Sequence, residues 1–245
     1  MTTATGTATK TALVTGANKG IGFAIAQSLG RLGMRVVVGA RDETAGSEAA
    51  ARLVAEGIDA STVRLDVTDD ASVAAAARTL DEHFGTLDVL VNNAGISGAF
   101  DPVTWEQDPT TMDLDELRRI VDTNVYGVVR VTNAVLPLLR RSSAPRIVNT
   151  SSSMGSLGRQ PGPVMAAYSS SKTFLNSITV QYARAFADSP VIVNAACPGL
   201  VATDFNGFAG DRSPEQGAAP VVRLATLPDD GPRGGLFDED GVVPW

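Results

Sequence analysis

Thr15-Gly16-Ala17-Asn18-Lys19-Gly20-Ile21-Gly22 is the stretch on which the reading of this 245-residue chain turns. It follows the apolar run Thr11 to Val14 and opens a segment of helical periodicity from Ile21 to Leu32. Strand, glycine turn and helix in that order bring backbone N–H groups and a helix N-terminus to one point, where a phosphate can be held. One glycine permits a positive φ, one lets the backbone approach a ligand, and one lets the helix pack closely on the strand. The spacing is G-x-x-x-G-x-G, and a lone glycine-rich turn of this kind is weak evidence without support elsewhere.

Outward from the turn, apolar runs and helical stretches alternate. Strands are expected at Lys10–Thr15, Arg35–Gly39, Ser61–Leu65, Leu87–Val91, Arg146–Thr150 and Val191–Ala196, with a final edge strand at Gly234–Asp238. Helical composition runs from Gly20 to Gly33, Glu43 to Glu56, Asp70 to Phe84 and Ala166 to Ala187. Asp113 is placed to cap one long helix reaching Arg141, with Pro137 bending its last turns. Ser213-Pro214 starts another helix, which Pro220 is expected to kink or shorten. This alternation implies right-handed βαβ units and a doubly wound parallel α/β sheet of about seven strands, covered by helices on both faces. No linker or repeat interrupts it, so residues 10–245 read as one domain behind a Thr/Ala-rich tail, residues 1–9.

Composition removes several functions. Twenty Lys and Arg against 27 Asp and Glu give a net charge of −7, which argues against nucleic acid or an anionic membrane as partner. The single cysteine, Cys197, excludes an internal disulfide and suits a reducing cytosol, where it reads as a buried, inert thiol. No apolar run approaches the roughly 20 residues that span a bilayer, and no signal peptide is evident. A cytoplasmic protein is expected. The one histidine, His83, ends an amphipathic helix, and no metal cluster can be built around it.

Several polar positions fall at the carboxyl ends of the expected strands, where open α/β sheets bind ligands. They are the glycine turn, Arg41, Asp66, Asn92 to Gly95, Ser151 to Ser153, and Pro198-Gly199. Tyr168 and Lys172 stand at i and i+4 of an expected helix and therefore share a face. A lysine ammonium beside a phenol favours the phenolate and lowers the tyrosine pKa from its reference of about 10. Such a tyrosine can exchange a proton near neutral pH. By spacing alone, the pair is more often a packed tyrosine beside a solvated lysine.

Taken together, Thr15-Gly16-x-x-x-Gly20-Ile21-Gly22, Asn92-Asn93-Ala94-Gly95, Asn124, Ser151–Ser153, Tyr168-x-x-x-Lys172 and Pro198-Gly199 resemble the short-chain dehydrogenase/reductase family in order and rough spacing. The resemblance covers nearly the whole chain and implies a single-domain Rossmann fold that carries both a nicotinamide cofactor and the catalytic residues. It implies Tyr168 as the proton donor in reduction, Lys172 as the group that tunes it and holds the nicotinamide ribose, and Ser152 as the holder of the substrate oxygen. Asn124 would keep a water between Lys172 and solvent. Gly16, Asn18, Lys19, Gly20, Ile21 and Gly22 would bind the cofactor. Asp66 and Val67 would receive the adenine, with Asn93, Ala94 and Gly95 along the adenine-ribose side. Pro198, Gly199, Val201 and Thr203 would meet the carboxamide and pyrophosphate. Ser153, Met154 and Phe205 would join Ser152 and Tyr168 in the substrate pocket. Asn92 is expected to brace its strand.

Charge bears on which cofactor. An NAD site usually ends its second strand with an acidic residue that holds the ribose 2′-hydroxyl. Here Arg41 comes first and Lys19 lies within the turn, so two cations converge where a 2′-phosphate would lie, favouring NADP(H) over NAD(H). The competing reading is a solvated Lys19 with Asp42 holding the ribose. Thr15 to Phe23, Cys197 to Asp204 and the ending Gly235 to Trp245 look like the carbonyl-reductase-like branch. This resemblance implies NADP(H)-dependent reduction of a ketone or aldehyde to an alcohol; an NAD-dependent alcohol dehydrogenase and a non-catalytic NADP-binding sensor or scaffold are the alternatives. Some members carry a long insertion before the tyrosine, whereas fifteen residues separate Ser152 from Tyr168 here. The helices at 114–141 and 166–187 are thereby left free to pair, as a homodimer or homotetramer; a half-exposed monomer surface is the other reading.

Overall fold

The computed structural model describes residues 9–101 and 103–245; the expected tail at residues 1–8 and the loop residue Pro102 lie outside them. Eight strands form one sheet: β1 Thr11–Thr15, β2 Arg35–Ala40, β3 Ala60–Arg64, β4 Val89–Asn92, β5 Arg146–Thr150, β6 Ile192–Ala196, β7 Leu236–Phe237 and β8 Val242–Val243. Their order is β3-β2-β1-β4-β5-β6-β7-β8, all parallel except β8, which runs antiparallel to β7. The order reverses between β1 and β4, the switch point at which doubly wound sheets open a ligand crevice.

Helices α1 Gly20–Arg31, α2 Glu43–Ala55, α3 Asp70–Phe84, α4 Leu114–Val121, α5 Gly127–Leu139, α6 Ala166–Ala185 and α7 Pro214–Ala225 connect the strands. Alternation along each strand feeds two cores. Ala12 and Val14 of β1, with Val36 and Val38 of β2, pack under α1, α2 and α7. Leu13 and Val37 point the other way, into α3, α5 and the end of α6. Central strands are therefore apolar on both faces, as a sheet covered on both sides requires. No helix of the described residues is long and apolar enough to cross a membrane.

Three expectations are corrected. The final strand near residue 236 is not the edge, because the tight turn Asp238–Gly241 folds the chain back as β8. Asp238 closes that turn by donating its N–H to the Gly241 carbonyl and accepting from Asp240 and Gly241. The single helix to Arg141 is instead α4 and α5, joined by one wider π turn at Asp122–Tyr126. Pro220 neither ends nor shortens α7, which continues through it to Ala225. Proline has no N–H to give the Gln216 carbonyl; the Arg212 guanidinium donates to that oxygen instead, at 3.0 Å.

Candidate active site

The carboxyl ends of β1 to β6 meet along one rim, and each delivers part of a site. After β1, Gly16 and Gly20 have φ of +64° and +54°, which only glycine adopts freely. A Cβ on Gly22 would stand 2.4 Å from the Gly16 carbonyl, so the turn closes only around a bare backbone there. The α1 N-terminus that follows has no side-chain cap. By contrast, Asp42, Asp69, Asp113 and Ser213 cap α2, α3, α4 and α7. The first N–H groups of α1 are therefore open to an anion at the switch point.

The turn is braced from β4. Thr15 Oγ1 accepts from the N–H groups of Asn93 and Ala94, both at 2.9 Å. The Asn93 amide donates to the carbonyls of Thr15 and Gly16, at 3.0 and 3.3 Å. Asn93 was expected to line the ribose side; its amide is instead engaged in holding the glycine turn. Ala94 presses on Gly16, and Gly95 leaves room for Asn124 and Lys172. Asn92 is buried and donates to Thr132 and Asn149, which ties β4 to α5 and β5.

At the end of β2, Arg41 is exposed and makes no hydrogen bond or ion pair among the described residues. Asp42 accepts from Ala45 N–H as the α2 cap. Lys19 departs from expectation: its ammonium pairs with Asp204, from the turn after β6. Of the two cations, only Arg41 is without a carboxylate partner. After β3, Asp66 Oδ1 accepts from the N–H and hydroxyl of Thr68. Burial works to raise its pKa, but the Thr68 hydrogen bonds and the charges of Arg41 and Arg64 hold it below the usual carboxylate range. Val67 is buried, and Arg130 donates to its carbonyl at 3.3 Å. Asn18 and Ile21 are half-buried at the turn, and Ile21 packs on the core.

The three serines after β5 separate. Ser151 turns into α6, donating to Asn176 at 2.6 Å. Ser153 donates its N–H to Cys197 Sγ at 3.1 Å. Ser152 accepts from the Met154 N–H at 3.2 Å and lies near enough to Tyr168 to favour its phenolate. One turn further along α6, the Lys172 ammonium lies 5.6 Å from the Tyr168 ring centroid and donates to the Thr150 carbonyl at 2.8 Å. Asn124, in the π turn, both donates to and accepts from the Ile96 backbone, and donates to Ser171 at 3.0 Å. Its side chain thus fixes the loop beside Lys172, and the widened turn is what sets it there.

Burial governs the electrostatics of the pair. Packing around the hydroxyl pushes Tyr168 well above its ordinary value, against a smaller lowering by the Ser152 hydrogen bond. Burial lowers Lys172 to about 8. The expectation that lysine simply lowers the phenol is therefore corrected: both groups are desolvated, and desolvation opposes phenolate and ammonium alike. Cys197 is buried, as the sequence leads one to expect, and its Sγ accepts from the Ser153 N–H on the same rim.

After β6, the chain runs back over the turn. Pro198 is buried, and Gly199 stands against Arg212. The buried Val201 side chain packs on Gly217 of α7. Thr203 caps the turn Asp204–Asn206 and touches Gly20. Phe205 stands edge-on to Tyr168 with centroids 5.8 Å apart, while Met154 is half-buried in the turn after Ser152. Trp105 stacks on Phe100 within its own loop and anchors it.

A doubly wound sheet with an uncapped helix N-terminus at its switch point, and a Ser-Tyr-Lys cluster on the same rim, defines a Rossmann-type α/β protein. The sequence pattern of the short chain dehydrogenase family matches residues 10–213. The chain belongs to that family of oxidoreductases. It is 36% identical to "Short-chain dehydrogenase/reductase 1" of Saponaria officinalis, covering 96% of this chain and 95% of that protein. It is 34% identical to "Carbonyl reductase [NADPH] 1" of Bos taurus, over 96% and 98% of the two chains. The NADPH-bound carbonyl reductase from chicken fatty liver superposes with a TM-score of 0.84 at 27% identity, covering 97% of this chain and 99% of that one. The alignment with the Saponaria protein extends over 296 positions, more than the 245 residues here, so that relative carries segments this chain lacks.

Proposed function

We propose that residues 10–245 act as one unit that reduces a ketone or aldehyde to an alcohol with NADP(H). The observation that carries this reading is the buried Lys172 ammonium 5.6 Å from the Tyr168 ring centroid, one helical turn along α6, with Ser152 at the end of β5 on the same rim. The dinucleotide fits the residues present. The open α1 N-terminus and glycine turn suit its pyrophosphate, Asp66 has a free oxygen for the adenine amino group, and Arg41 stands ready for a 2′-phosphate. With Asp42 engaged as a helix cap, no carboxylate replaces Arg41 at the end of β2, which supports NADP(H) over NAD(H). The names of the bovine and chicken relatives point the same way.

When bound, the cofactor supplies hydride from nicotinamide C4. Ser152 holds the substrate carbonyl oxygen, which gains charge as the carbonyl carbon is reduced. Tyr168 gives that oxygen its proton. Its raised pKa keeps the phenol protonated, the form needed for reduction, and an alkoxide is far more basic still. The Lys172 cation, beside the ring, stabilises the phenolate left behind, and Phe205 screens the phenol from water. Tyr168→Phe removes only the transferable proton. A panel of ketones and aldehydes assayed with NADPH should show kcat/KM lower by roughly 10²–10⁴-fold, with NADPH affinity nearly unchanged. Activity that survives Tyr168→Phe overturns the mechanism.

A further inference from the structure

The helix that carries Tyr168 takes its cap from another part of the chain. Met165, at its N-terminus, offers no side-chain acceptor to the first turn. The N–H of Tyr168, third residue of the helix, donates instead to Gln107 Oε1 at 2.9 Å. Gln107 lies in the long loop between β4 and α4 and is buried, only 8% exposed. Its Nε2 donates to the carbonyls of Ser97 and Ala99, at 2.7 and 3.0 Å. The backbone is clamped as well: Gln107 N–H donates to the Val164 carbonyl, and its carbonyl accepts from Ala166. One amide thus uses both its donors and its acceptor between the loop and the tyrosine's helix. The amide can sit only one way round. Reversed, its NH₂ would face the Tyr168 N–H and its oxygen would face two carbonyls.

We infer that Gln107 is a positioning residue for the reduction proposed above, fixing Tyr168 by capping α6 and tying the Ser97–Ala99 loop to it. The inference rests on that reductase reading. Gln107 touches no reacting atom; it acts through the backbone of Tyr168 at one end and the loop at the other. Such a tie matters because misplacing a catalytic group by about 1 Å can lower a rate about 100-fold.

Two substitutions separate the two ends. Gln107→Glu keeps an oxygen for the Tyr168 N–H, where negative charge suits a helix N-terminus. It also turns a carboxylate oxygen toward the carbonyls of Ser97 and Ala99, so the loop is released. Gln107→Leu releases both. With acetophenone and NADPH, Gln107→Glu should raise KM about tenfold with kcat within about threefold of wild type, whereas Gln107→Leu should lower kcat by about tenfold or more as well. NADPH affinity should not change in either. Amide hydrogen exchange reads the tie directly. Gln107→Glu should speed exchange at 96–101 while 166–169 stays protected, and Gln107→Leu should speed both. Equal kinetic losses in the two variants, or unaltered exchange in both segments, overturns the inference. If Gln107→Leu does not fold, the KM-against-kcat split and the exchange pattern of Gln107→Glu decide. A wild-type protein that reduces no carbonyl refutes the reductase reading instead, and the exchange pattern still tests the tie.

Discussion

At the scale of single residues, Lys172 and Tyr168 are tuned by the same cause with opposite sign. Burial lowers the lysine to about 8 and raises the phenol. Across the neutral range the phenol therefore stays protonated, and the group that titrates is the lysine. As pH rises through about 8, Lys172 loses the charge that stabilises the departing phenolate. The reductive kcat/KM is expected to be flat below about pH 7 and to fall above about pH 8, and a profile level to pH 10 would refute this assignment. Arg41 makes a second test. A charge-assisted hydrogen bond contributes about 1.5–3 kcal/mol, so Arg41→Asp should raise KM for NADPH roughly 10–100-fold and leave KM for NADH little changed. Equal effects on both cofactors would refute a 2′-phosphate site at Arg41. The Tyr168–Lys172 pair is legible in sequence because i and i+4 always share a helix face. Gln107 is not, because its bond to Tyr168 crosses 61 residues of chain.

At the scale of elements, the glycine turn and the π turn shape the site from opposite sides of the switch point. The turn after β1 leaves α1 uncapped while Asn93 and Thr15 hold it rigid. Gly22→Ala would force a Cβ to within 2.4 Å of the Gly16 carbonyl and 2.5 Å of the Asn93 amide. The turn must then open, which breaks the Asn93 brace. A lowered melting temperature with at least tenfold weaker NADPH binding, measured by fluorescence titration, is expected, and wild-type affinity would show that the turn does not hold the cofactor. The π turn is not visible in the sequence of residues 114–139, since one extra residue in a helix leaves no local mark. Within it, Asn124 reaches the Ile96 backbone. Pro220 was misread for a related reason: the donor that replaces its missing N–H is Arg212, outside the helix.

At the scale of the molecule, apolar residues of β1 and β2 alternate between two cores that clamp the sheet from both sides. Among the apolar side chains outside them is an aromatic pair. Tyr126 and Phe174 meet edge to face with centroids 6.4 Å apart, yet are 49% and 41% exposed. They sit where α6 faces the π turn. Pairing of two copies across this face is proposed. Light scattering at micromolar concentration should give at least a dimer, and Tyr126→Glu with Phe174→Glu should shift it to monomer. A monomeric wild type would refute it.

The sequence by itself determined the wound α/β class, the strand ends that carry the polar residues, and the spacing of Tyr168 and Lys172. Each of these depends on local periodicity, and the apolar pattern states which faces are buried. Tertiary structure alone decided the partners: Lys19 with Asp204, Asn93 with the glycine turn, Asn124 with Ile96, and Gln107 with Tyr168. It also decided the direction of the Tyr168 shift. Hydrogen bonds between distant segments and the loss of water around a buried group arise only once the chain has closed, and no periodicity records them.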